Sequence, residues 1–221
     1  AFGVTEFNGE PMDAAYATQR ARWEPIAEIT QIKGDGETHP KLSPEDEFAD
    51  FERWDKGNLD GSAPKEDWMF KYEYGRSALE TGLELEASLG VNPYEMGFNG
   101  SSDAHTGLAS TGEENFFGKM ASSEPSPNRF DGEVIRAVDP ALRIVKSQES
   151  ASGLTGVWAR QNTRDEVFDA LTRKEIYATT GTRIRVRLFA GWDFAPGDEL
   201  VPDFAALGYG KGVPMGGRLL A

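Results

Sequence analysis

The chain has 221 residues, no Cys, and 37 acidic against 23 basic side chains, for a formal net charge of −14. That balance excludes a protein built to hold a nucleic-acid backbone, and the missing thiols exclude a disulfide framework and cysteine nucleophiles. Hydrophobic residues at 38% suffice for a core, while no apolar run is long enough to span a membrane.

In chain order, Trp23 to Ile32 mixes Ile26, Ile29 and Ile32 with polar residues before the Gly-rich KGDGETHP, which predicts a short strand feeding a loop. Ser43-Pro44-Glu45-Asp46 combines an N-cap, a proline at the first helical position and an acidic reach-back residue, predicting a short helix to about Trp54. From Trp68 to Leu89 a 3.6-residue period puts Tyr72, Leu79 and Leu83 on one side of an amphipathic helix that Gly90 would end. YEMGFN then reads as a buried strand that delivers the chain into GSSDAHTG, residues 100–107. Residues 121–153 are rich in Ser, Pro, Gly and charge and read as a long excursion, with a weak strand or helix at Val134 to Val138, placed to form a rim or lid. A capping box at Thr163-Arg164-Asp165-Glu166 opens a helix through Arg173, and IRVRLFAGW alternates as a strand from Ile184. The alternation of helix and strand favours an α/β architecture. Trp158 and Trp192 read as core.

Asp103 and His105 flank one residue, and in an extended segment positions i and i+2 project to the same side, so both could face one ion. Carboxylate oxygen with imidazole nitrogen suits Zn, Mn or Fe. The same tripeptide also occurs as a plain turn cap. The chain has two His in all, His39 and His105, and both fall in Gly-rich polar loops after predicted strands. In α/β barrels that position is the active-site rim. Lys33 and Arg183 follow predicted elements and would offer cationic donors to a phosphoryl or carboxylate oxygen, against the plain reading as surface charges.

GSSDAHTGLAS resembles the last metal motif of the polymerase and histidinol phosphatase (PHP) superfamily. More narrowly, FKYEYGRSALETGLELEASLGVNPYEMGFNGSSDAHTGLAS, with ENFFGK, EPSP, SGLTGVWA and IYATTGTRIRVRLFAGWDF, resembles the uncharacterised family DUF3604 over nearly the whole chain. The resemblance implies the C-terminal part of a distorted (β/α)7 barrel over 1–190, with the excursion at 121–153, followed by the start of a small β-rich, Gly/Pro-rich extension over 191–221. It implies a metal-dependent hydrolase, by analogy of phosphoester bonds in a small-molecule substrate, using two or three divalent ions of Zn, Mn or Fe. Asp103 and His105 carry over as metal ligands at the catalytic centre, and His39 as a further ligand. Glu37 and Glu28 stand as additional ligands or bases, with solvated surface acids as an equal alternative.

The superfamily opens with a His-x-His motif, and this chain has no His before His39. The resemblance therefore implies the C-terminal portion of a longer enzyme, inactive alone. Its compartment is open between periplasm and cytoplasm. Two rival readings are a metal-binding or interaction module without catalysis, and a metal-dependent amide or lactone hydrolase.

Overall fold

The computed structural model describes residues 2–105, 126–128, 130–150 and 152–220. Asp13 accepts from the Tyr16 N–H and so caps the first helix, α1 (Ala14–Trp23). The chain then enters β1 (Ile26–Gln31), turns at Lys33 and returns as the two-residue β2 (Gly34–Asp35). Two helices follow, α2 (Asp67–Phe70) and α3 (Gly75–Leu89), and α3 crosses over to β3 (Gly97–Gly100), which lies parallel to β1. The sheet order is β2-β1-β3.

The helix predicted from Trp68 forms in two pieces, and its buried face is not the leucine stripe. Gly75, Ser77, Ala78, Thr81 and Gly82 are buried, whereas Leu83 is 63% exposed. Small residues let the helix backbone approach the sheet, and a side chain at Gly75 would collide with Ile29 and Phe98. Gly90 closes α3 in the left-handed conformation, φ 78°, as its sequence predicts.

The helix predicted at 43–54 is absent; those residues form turns. Ser43 shares a hydroxyl hydrogen bond with Thr38 (2.7 Å) instead of capping. The segment also has little to bury, since Phe48 is 75% exposed.

Within the excursion, β4 (Glu133–Ile135) pairs antiparallel with β5 (Ile144–Val145), packing Ile144 and Leu142 inward. Next, β6 (Leu154–Val157) pairs antiparallel with β7 (Ile176–Thr179), and the connection runs through α4 (Arg164–Thr172), capped by Thr163 as predicted. Thr155 joins this pair to the first sheet, its hydroxyl accepting from the Gly100 N–H at 3.1 Å and donating to the Gly100 carbonyl at 2.6 Å. Of the strand predicted from Ile184, only β8 (Phe189–Ala190) forms, against β9 (Val213–Pro214). Between them lies α5 (Phe204–Lys211), so the tail is not purely β. Trp192 is 74% exposed and is not core.

The expected part of a (β/α)7 barrel is not formed. Among the described residues the strands make four separate sheets, and only β1 and β3 are a parallel pair. A barrel needs each strand–helix–strand unit to return parallel, and here only β1–α3–β3 does so; β6–α4–β7 returns antiparallel. The result is a small mixed α/β fold.

The tail is tied to β7 by charge. Glu175 is 2% exposed, accepts from Arg173 Nε at 2.9 Å and from the Tyr209 hydroxyl, and lies 3.6 Å from Arg187. Arg187 in turn stacks over Trp158 at 4.4 Å.

Candidate functional site

Parallel pairing sets the carboxyl ends of β1 and β3 side by side, and the Ser101 N–H donates to the Thr30 carbonyl at 3.0 Å where the strands part. Four of the predicted residues gather there. Ser101 donates its hydroxyl to Glu28, and Lys33 pairs with Asp103. Asp103 has φ 48°, a left-handed backbone tolerated by Asp better than by most residues. That turn brings its carbonyl to 2.8 Å from His105 Nδ1 and its carboxylate to 3.7 Å from the same nitrogen. A carbonyl only accepts, so Nδ1 carries the proton and the ring lone pair is on Nε2. The His105 side chain is 55% exposed, against 21% for Asp103 and for Lys33.

Three predicted residues go elsewhere. His39 is 2% exposed and stacks on Phe70, centroids 4.2 Å apart. Its Nδ1 accepts from the Lys41 N–H at 3.1 Å, which places the neutral ring's proton on Nε2, 3.0 Å from Asp55. Both nitrogens are thus engaged within its own loop. Although burial opposes it, the hydrogen bond from His39 and the charge of Arg53 hold the Asp55 carboxyl below the usual carboxylate range. Glu37 accepts from Arg76 Nη2 at 2.7 Å, and Arg76 also holds Asp46. Arg183 is exposed beyond β7 and makes no ion pair among the described residues. Of GSSDAHTG, residues 106 and 107 lie outside the described residues, as do ENFFGK and the first two residues of EPSP.

Sequence reading passed over Asp35. It sits between Gly34 and Gly36 and lines two cavities, and burial pushes its carboxyl up to about 6, with Glu37 and Glu52 acting in the same direction. Its flanking glycines after a predicted strand were the available signal. Lys56, Lys65, Trp54 and Glu73 were also missed, because nothing in the loop's spelling places them beside Lys33.

A cavity of about 700 Å³ lies between α3, β7 and the tail, and is lined mainly by apolar groups such as Ile29, Phe98, Ile176 and Leu188. None of Glu28, Lys33, Asp103 and His105 lines it. We therefore place the candidate chemistry at the strand ends, where polar groups converge, rather than in that apolar recess. Among the described residues, no group of three or more His, Asp or Glu side chains is arranged to hold a metal ion, and no helix is long and apolar enough to cross a membrane.

A family model described as a protein of unknown function, DUF3604, matches residues 1–221. The chain belongs to the DUF3604 family. No curated protein and no solved structure matches this DUF3604 chain. The family description names no activity, so the chemistry rests on the strand ends themselves.

Proposed function

We propose that this DUF3604 chain carries part of a divalent-metal hydrolase centre of the PHP type, acting on phosphoester bonds, with Asp103 and His105 as ligands and Glu28 nearby as a base. The observation that carries it is the pairing of His105 Nδ1 with the Asp103 carbonyl at 2.8 Å. A ring held through Nδ1–H presents Nε2 as a ligand, which is how second contacts orient metal-binding histidines. The Asp103 carboxylate stands beside that ring, and Glu28 is linked through Ser101 on the neighbouring strand. The pair of Asp103 and His105 fits one side of a Zn, Mn or Fe coordination sphere. A bound divalent ion would supply an activated water and polarise the scissile bond. Lys33 has two roles in this account: its ammonium balances Asp103 when no ion is present, and it turns to a substrate oxygen when one is.

The test is metal content by mass spectrometry together with hydrolysis of p-nitrophenyl phosphate and bis(p-nitrophenyl) phosphate, comparing the parent protein with His105→Ala and Asp103→Ala. Both variants are expected to lose bound metal and turnover. Unchanged metal content in both sinks the reading. A second reading, a metal-binding or interaction module without catalysis, is favoured by one observation: among the described residues no third ligand closes on Asp103 and His105. Metal bound through His105 with no turnover on phosphoester, amide or lactone substrates selects it.

A further inference from the structure

In a chain with 37 acidic against 23 basic side chains, three lysines line one recess next to Asp103. Two adjoining cavities, about 370 and 180 Å³, share Lys33, Trp54, Lys65 and Glu73 in their walls, and Lys56 lines the larger one. The larger volume lies in the range of small-molecule sites.

The walls are fixed by interlocking loops. The Trp54 indole N–H donates to the Gln148 carbonyl at 2.8 Å, and Gly57 bridges to Pro64. Ile135, Leu142 and Ile144 of the excursion supply an apolar floor.

The wall of the larger cavity carries more basic than acidic side chains, unlike the chain as a whole. Lys65 pairs with Glu73, and Lys33 with Asp103. Lys56 Nζ donates to the neutral Arg143 carbonyl at 3.0 Å and makes no ion pair among the described residues. Three ammonium groups thus face the larger cavity, whose wall carries one carboxylate, Glu73, while the smaller cavity adds Glu28 and Asp35. Ammonium donors beside low-dielectric walls attract an anion more strongly than the same groups in open water.

We infer that this recess binds an organic anion, its carboxylate, phosphate or sulfate head on Lys56 and Lys65 and its apolar body on Trp54, Ile135, Leu142 and Ile144. Because Lys33 belongs both to the recess wall and to the Asp103 pair, an anion seated there lies beside the strand-end centre. Its role as a substrate subsite rests on the hydrolase reading; the anion binding itself does not.

Calorimetry in the presence of a chelator separates the two. With phenyl phosphate as the probe and benzyl alcohol as its neutral counterpart, the protein is expected to bind the first and not the second, and less tightly as salt rises. Lys56→Gln and Lys65→Gln should each weaken phenyl phosphate by about tenfold, the loss of one charge-assisted hydrogen bond. Trp54→Leu should weaken phenyl phosphate but not inorganic phosphate. Lys56 is exposed, so its variant folds and keeps the comparison valid. Equal binding of the neutral compound, or unchanged affinity in Lys56→Gln, overturns the inference. If Lys56→Gln loses the anion while His105→Ala keeps its metal, the recess stands and the hydrolase reading fails.

Discussion

The two histidines of this chain occupy like settings in sequence and opposite ones in space. Each follows a strand in a Gly-rich polar loop, yet His39 is 2% exposed, stacked on Phe70 and hydrogen-bonded through both nitrogens, while the His105 side chain is 55% exposed and tethered through Nδ1 to the Asp103 carbonyl. What separates them is what the following residues do. After His39 the chain folds back, with the Leu42 and Ser43 amides donating to the His39 carbonyl, and the ring is driven under α2. After Asp103 the left-handed turn throws His105 outward. A buried histidine whose nitrogens are both consumed by its own loop stabilises the fold; an exposed one beside a carboxylate is a candidate for chemistry.

The sharpest way to break that contrast is to remove each ring. His39→Ala deletes a buried aromatic and leaves Asp55 with Arg53 alone, and should cost about 3 kcal/mol of unfolding free energy with no change in bound metal. Urea titration and metal analysis check it together. Glu175→Ala belongs to the same buried class. It leaves Arg187 and Tyr209 without their carboxylate, for a loss of roughly 3 kcal/mol read by the same titration. Thr163→Ala should cost about 1 kcal/mol through the lost cap of α4, a baseline for purely local effects. His105→Ala should stay within about 0.5 kcal/mol of the parent, as exposed positions do, while losing its metal. A large stability loss there would place His105 with His39.

Asp35 sharpens the comparison along the pH axis. Its folded value, about 6, is above the ordinary carboxylate value, so the folded chain holds a proton there that the unfolded chain has released. Its stabilising contribution is complete below pH 3.8 and disappears as pH rises through about 6. Asp35→Asn does not titrate. Its stability relative to the parent should therefore grow between pH 4 and pH 7, as seen in denaturant midpoints at a series of pH values. A flat difference would show that Asp35 is not buried as described.

Local signals were the legible ones. The strand at Ile26–Gln31, the cap of α4 by Thr163 and the end of α3 at Gly90 follow from short-range chemistry written in adjacent residues. That Asp103 and His105 lie together was legible too, because one residue separates them. Features decided by distant partners were not. The leucines of α3 look like a core stripe until the closeness of the sheet selects the glycine face, and the acidic segment at 43–54 has every cap signal but no apolar face to bury. Parallel or antiparallel return after α4 depends on which sheet edge β7 meets, which no periodicity encodes. Likewise, Lys56 and Lys65 join Lys33 only because the excursion folds over their loop.

The Glu175 clamp has a consequence for how the molecule is made. Synthesis runs from the N-terminus, so β7 leaves the ribosome with Arg173 already available to its carboxylate but with Arg187 still to come and Tyr209 later still. Until residue 209 has emerged, Glu175 cannot be sealed from water, and consolidation around it waits on residues made well after β7. A ribosome stalled near residue 200 would hold a nascent chain in which the surroundings of Glu175 still admit solvent and proteases, whereas one stalled well past α5 would hold that region closed.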